Sequence, residues 1–326
     1  MPTSMSAAEW LPFVEREYLA SFIRDGGSAV KFLAALEAEE RAVVAERLLR
    51  SAEELGYIGV PISASETRMH MADQVLYRVA ERVPWGELSR RVIVRLATEA
   101  GYTPVDLVED GLVDRLATAN NVEPDLLRME VRRMLGDQVL KKRDLAKDFR
   151  VAATQLCLAE VDGGPGGEMM SRAIQDWLTG RNRARSAVKP YGIFWAINRT
   201  NARYFLESLL RWVRFAGLAG VLILLDIIRL AVPRNPHDGA VFYSKAALLD
   251  AYELLREFVD STDRLEGCFM AVLADASFLD DDPYGRGMGA YEALKFRVFD
   301  EIRDRKLVNP MASLVRLSAN GEEAPG

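Results

Sequence analysis

Cysteine and histidine are nearly absent from this chain. Cys157 and Cys268 stand alone, as do His70 and His237, in 326 residues. Two isolated cysteines with no partner spacing argue against a disulfide framework and point to a reducing compartment. Two cysteines and two histidines, scattered singly, do not supply the ligand spacing of a structural zinc site. The N-terminus lacks a basic stretch followed by an apolar one, so no signal peptide is expected. The most apolar window, residues 215–232, contains Asp226 and Arg229 and is broken at its start by Gly217 and Gly220. It reads as a buried strand and not as a membrane span. A cytoplasmic protein with no membrane partner is expected. An excess of positive charge is also missing. The net charge of -6 speaks against wholesale binding of a polyanion, although it leaves room for a local basic patch. With 49% hydrophobic and 28% charged residues, both a full core and a soluble surface are available, in one large domain or two ordinary ones.

What the sequence does contain is an unbroken apolar run ended by one acid, Val-Leu-Ile-Leu-Leu-Asp-Ile-Ile-Arg at 221–229. So short a run, with no polar alternation, predicts a strand buried on both faces at the centre of a parallel sheet. An acid at the carboxyl end of such a strand lies where open α/β sheets bind ligands. In P-loop nucleotide hydrolases an apolar strand ending in Asp is the Walker B element, whose carboxylate holds Mg²⁺. Asp226 is therefore the candidate metal ligand. The residue after it is Ile227, where many such enzymes carry a catalytic Glu.

Upstream, residues 10–24 predict an amphipathic helix closed by Gly26 and Gly27. A strand over 28–36, a helix over 41–55 ended by Gly56, and a strand over 57–63 read as a βαβ unit. A phosphate loop of the form Gly-x-x-x-x-Gly-Lys-Ser/Thr would lie between that first strand and helix. Such a loop works because glycines let backbone N–H groups curl around phosphate while Lys adds positive charge. The junction holds instead Glu37, Glu39 and Glu40, and the pattern occurs nowhere else in the chain. Three carboxylates at a helix start satisfy its positive dipole end and repel a triphosphate.

Residues 68–215 predict a helical insertion, with breaks at Pro84, 101–104, Pro124, 163–167 and 190–192. Within it, residues 111–134 have the cadence of a helix-turn-helix, with Arg128, Arg132 and Arg133 on the second helix and Lys141, Lys142 and Arg143 nearby. The same stretch also fits a plain helical hairpin with solvated arginines. The glycine cluster at 163–167 precedes Glu168 and Met169, which predicts a flexible loop and not a phosphate cradle. Arg181, Arg183, Arg185 and Lys189 are followed by Tyr191, Phe194 and Trp195. That interleaving suits single-stranded nucleic acid, or equally a solvated linker leading into a core helix.

After the central strand, 229–243 reads as a long exposed loop, 244–260 as a helix, and 267–274 as a second buried strand ending at Asp275. A polar segment follows, with Asp280, Asp281, Asp282 and then Gly285, Gly287 and Gly289. Phosphate, Mg²⁺ or a basic partner could each suit it, as could plain mobility. A charged helix over 290–305, a strand over 312–318 and a disordered tail over 319–326 complete the chain.

This order of elements resembles the ATP-binding P-loop family that includes ATPases of bacteriophage-exclusion (BREX) defence systems. The resemblance is carried by Phe-Ile-Arg-Asp-Gly-Gly-Ser-Ala-Val-Lys-Phe at 22–32, by Leu224-Leu225-Asp226, and by Asp250-Ala251-Tyr252-Glu253. It continues through Leu265-Glu266-Gly267-Cys268-Phe269 and Gly289-Ala290-Tyr291-Glu292-Ala293-Leu294-Lys295-Phe296-Arg297. It implies an α/β fold with an AAA-like P-loop NTPase core, a mostly parallel sheet flanked by helices, carrying a large helical insertion. The division expected is 1–67 and 216–318 for the two halves of the core, 68–215 for the insertion and 319–326 for the tail. The resemblance further implies Asp226 at the Walker B place, Asp275 near the sensor strand, Arg297 or Arg303 as a trans-acting arginine, self-assembly and other defence proteins as partners. Without a Walker A Lys, the expected protein is a non-hydrolysing relative that needs no cofactor. The alternatives are an active ATPase using ATP and Mg²⁺ in an unusual loop, or a DNA-binding adaptor using Arg128 to Arg143 of the insertion.

Overall fold

The structure is a computed structural model that describes residues 5–35, 38–107, 111–279, 284–299 and 309–317. Glu37, Asp280, Asp281, Asp282, Arg303, Arg305 and the tail at 319–326 lie outside the described residues. In chain order the elements begin with α1 (Ala7–Phe13), a π-helix (Val14–Phe22), β1 (Ser28–Ala35), α2 (Ala38–Glu54), β2 (Tyr57–Ser63) and α3 (Ala72–Arg82). Next come α4 (Trp85–Glu99), α5 (Leu112–Ala119), α6 (Pro124–Leu135), α7 (Lys147–Asp162), α8 (Gly164–Leu178), α9 (Arg185–Val188) and α10 (Ala202–Phe215). The last are β3 (Gly220–Asp226), α11 (Lys245–Asp260), β4 (Cys268–Ala274), α12 (Ala276–Leu279), α13 (Glu292–Val298) and β5 (Leu314–Leu317).

The chain divides into two compact units, one of Met1–Arg78 with Ala219–Gly326 and one of Val79–Leu218. The first is α/β. Its five strands are all parallel, in the order β2-β3-β4-β1-β5. β3 is buried from Gly220 to Leu225 and β4 throughout, as their unbroken apolar runs require for strands covered on both faces. On one face, Trp10, Val14 and Tyr18 of the N-terminal helix and Val44 and Leu48 of α2 pack on Leu33, Leu222, Leu224, Phe269 and Leu273. On the other, Phe32 stacks on Phe278 with ring centroids 5.8 Å apart, and Tyr252 of α11 meets Phe278 edge-on at 6.0 Å. The predicted N-terminal helix is present, but it widens to π geometry beyond Pro12, a residue that supplies no backbone N–H.

The βαβ unit is real in its order and direction, yet its two strands are not neighbours. β3 and β4 stand between β2 and β1. From β1 the chain crosses over these places to β2, then returns through β3 and β4 and passes to β5 on the far side of β1. The connection leaving β1 therefore runs toward β2 and the one leaving β4 runs the opposite way toward β5, so the carboxyl ends of β1 and β4 form the topological switch point, the place where such sheets take their ligands.

The second unit is helical among its described residues. Gly163 to Gly167 does not form the loop that its glycines suggest. Gly163 takes φ 60 as a turn, Pro165 sits in the first turn, and α8 runs through the remaining glycines. Gly167 is needed for contact, since a Cβ there would lie 2.5 Å from the carbonyl oxygen of Ala159 on α7. The helices touch backbone to backbone at that point.

Candidate functional site at the carboxyl edge of the sheet

Asp226 closes β3. It lies opposite Ser63 of β2 and Leu273 of β4, and it is half-buried. The strand stops there because the chain turns at once. The N–H of Ile227 donates to the carbonyl of Leu273 at 3.0 Å, and the N–H of Ile228 donates to Asp226 Oδ1 at 3.1 Å. Asp275 follows the last residue of β4, two residues beyond the partner of Asp226. At about 3.3 Å per residue this places it about 7 Å further along the strand direction. Its Oδ1 accepts from the N–H and hydroxyl of Ser277, at 3.1 and 2.5 Å, at the start of α12. The sheet therefore brings both carboxylates to one edge on adjacent strands.

Arg297 is elsewhere. Its Nε donates to Asp260 Oδ1 at 2.8 Å, at the last residue of α11. α11 leaves the carboxyl edge after β3 and returns the chain to the amino edge, where β4 begins. Sixteen residues of helix span about 24 Å. Arg297 thus lies toward the opposite edge from Asp226 and Asp275, in a network in which Arg256 also holds Glu253 and Asp260.

A feature that sequence reasoning missed is Arg286, between Gly285 and Gly287. It is 6% exposed. Its Nε donates to the carbonyl of Leu230 at 2.9 Å and its Nη2 to that of Tyr243 at 2.7 Å, while its own carbonyl accepts from the Tyr252 hydroxyl at 2.6 Å. Tyr243, fully buried, accepts from the N–H of Met69 at 3.0 Å and has the Thr67 carbonyl 2.5 Å from its hydroxyl. Burial pushes that phenol up to about 12. The segments leaving β2, β3 and β4 are thereby tied to one another at the ligand edge. The 229–243 segment is anchored at both ends, also by the bidentate pair of Arg229 and Asp238 at 2.8 and 2.9 Å. No sequence signal distinguished Arg286 from its charged neighbours.

The basic residues of the insertion are largely paired with acids of their own unit. α5 and α6 do form a helical hairpin. In it Arg128 binds Asp114 at 2.5 Å and Asp125 at 3.0 Å, and Arg132 binds Asp162. Arg133 lies 3.6 Å from Asp137, and Lys141 lies 2.7 Å from the same residue. Lys142 lies 3.8 Å from Asp144 and 4.5 Å from the centre of the Phe215 ring. Arg143 lines a separate cleft. Charges held this way have less to offer a phosphate backbone.

Mg²⁺ and a nucleoside triphosphate would require a carboxylate at the end of β3 and a cationic cradle at the start of α2. Asp226 meets the first requirement. The second is not met by the described residues, because the first turn of α2 carries Glu39 and Glu40. The lysine of β1, Lys31, is 5% exposed and donates to the carbonyls of Met311 and Ala312. Among the described residues no group of three or more His, Cys, Asp or Glu could hold a metal ion.

A five-stranded all-parallel sheet flanked by helices, with acids at its carboxyl edge beside a switch point, defines an α/β protein compatible with a P-loop-like core. Residues 114–323, well over half of the chain, match the family described as BREX system ATP-binding protein BrxC/D. The chain belongs to that family, and so to the proteins of a phage-defence system. The match begins within α5 and takes in β3, β4 and β5, leaving β1 and α2 outside it. No curated protein and no solved structure matches the chain. No helix among the described residues is long and apolar enough to cross a membrane.

Proposed function

We propose that this protein is a non-hydrolysing component of its defence system, a pseudo-ATPase that assembles with itself and with other defence proteins. One observation carries the reading. Beside the switch point, the helix that would receive phosphate opens on Glu39 and Glu40. Phosphoryl transfer depends almost wholly on positioning and on neutralising charge, and acids at that place supply neither. Membership in an ATP-binding family accounts for the sheet and for Asp226, which here serves to turn the chain by capping Ile228.

The test is phosphate release from ATP with Mg²⁺, by the full chain and by Asp226→Ala. The reading expects a flat time course from both. Release by the wild type that disappears in Asp226→Ala would overturn it and establish an active hydrolase with another cradle.

A further inference from the structure

The helical unit carries a surface that the proposed function does not use. From 177 to 206 the chain has six basic residues and no acidic one, within a protein of net charge -6. Arg181, Arg183, Arg185, Lys189 and Arg199 are all exposed. Arg185 and Lys189 have no ion-pair partner among the described residues, and Arg181 has only Asp176, at 3.8 Å. Aromatic side chains stand open to solvent along the same segment. Phe194 is 56% exposed, Trp195 66% and Tyr204 49%. The contrast with the other tryptophans is informative. Trp10, Trp85, Trp177 and Trp212 are all buried, at 3% exposure or less.

Trp195 and Tyr204 line one cleft of about 360 Å³, together with Arg143, Lys147 and Arg211. Asp144, Asp148 and Glu207 also line it. Of these Asp148 and Glu207 are buried in its wall, and Lys142 lies 3.8 Å from Asp144. Trp195 belongs to the irregular segment between α9 and α10 and is the most exposed of the five tryptophans. An open ring that shares its cleft with Arg143 and Lys147, and that follows Arg185 and Lys189 closely in the chain, offers what an unstacked base and its phosphate require. A base paired within a duplex could not reach such a ring.

We propose that this surface, from Arg181 to Tyr204 with Arg143 and Lys147, binds single-stranded nucleic acid. Phosphates lie along Arg185 and Lys189, and bases stack on Trp195 and Tyr204. The assignment is independent of the sheet edge and holds whether or not ATP is hydrolysed.

The experiment uses the full chain and fluorescence anisotropy at about 50 mM salt, where phosphate contacts are strongest. The probes are labelled oligothymidylate, oligouridylate and a mixed-sequence duplex. Single strands should bind more tightly than duplex and quench tryptophan fluorescence. Trp195→Ala should abolish the quench and weaken binding about tenfold or more. Arg185→Glu combined with Lys189→Glu should weaken binding and flatten its salt dependence. All these positions are exposed, and unchanged melting curves would confirm that the variants fold. The tighter of the two oligonucleotides identifies the strand, DNA or RNA. No binding at low salt, equal affinity for duplex, or indifference to these substitutions would overturn the proposal. So would adhesion to anionic phosphatidylglycerol vesicles without oligonucleotide binding.

Discussion

Lys31 permits a quantitative test of how the sheet unit is packed. It lies in β1, its side chain on the face covered by the N-terminal helix. It is 5% exposed, with its ammonium donating to the carbonyls of Met311 at 2.5 Å and Ala312 at 3.0 Å, 4.8 Å from the centre of the Tyr18 ring. No carboxylate pairs with it among the described residues. Burial pushes its pKa down from 10.5 to about 8. In the unfolded chain the amine keeps its proton until about pH 10.4. Below pH 8 both states are protonated, and the folded state bears the full cost of a buried charge. Between the two values the folded protein has released a proton that the unfolded chain still holds. Stability from this group therefore rises with pH across that window, by about 3 kcal/mol in all. Cys157, Cys268 and Tyr243, whose pKa values burial raises, act in the opposite sense above about pH 9. Comparison with Lys31→Met cancels them. Urea unfolding of both proteins from about pH 7 to about pH 10 should show the variant's stability, relative to wild type, falling by about 2.5 kcal/mol. A difference constant over that range would show that the amine is not buried as described.

Two further substitutions probe the frame around the site. Gly220 opens β3 at φ 150, and a Cβ there would lie 2.0 Å from the carbonyl oxygen of Gly267. Gly220→Ala should therefore lower stability by about 3 kcal/mol or more, read from a denaturant midpoint, and an unchanged midpoint would contradict the strand spacing. Arg286→Leu leaves the carbonyls of Leu230 and Tyr243 without their buried donor, and should cost about 3 kcal/mol with a visible loss in melting temperature. A melting curve equal to wild type would mean that Arg286 does not tie the edge together.

Much of the sheet was legible because burial writes itself into local sequence. Val221 to Leu225 and Cys268 to Ala274 are covered on both faces, and runs without polar residues announce that. β2 has the expected bounds, Tyr57 to Ser63, since Gly56 and the turn at Ala64 punctuate it. Adjacency was not legible. Nothing in α2 reveals that it carries the chain past two strand places, because strand order is fixed by contacts distant in sequence. Glycines 163–167 misled because they resemble a loop, whereas Gly167 is small so that α7 and α8 can touch. The placement of Asp226 and Asp275 at the carboxyl ends of β3 and β4 was legible from the apolar runs that precede them. The pairing of Arg297 with Asp260 was not, since a charged residue on an amphipathic helix gives no sign of its partner. The same holds for the buried Arg286 and for the acids that hold Arg128 and Arg132.

The proposed pseudo-ATPase would combine the sheet layout of a nucleotide site with an acidic start to the helix that should grip phosphate. Isothermal titration of ATP and Mg²⁺ into the full chain, beside a matched titration of Asp226→Ala, decides whether that site is empty of function. A pseudo-ATPase should give no saturable heat, as wild type or as the variant, at ligand concentrations up to about 1 mM. Saturation in the micromolar range that is lost in Asp226→Ala would contradict it.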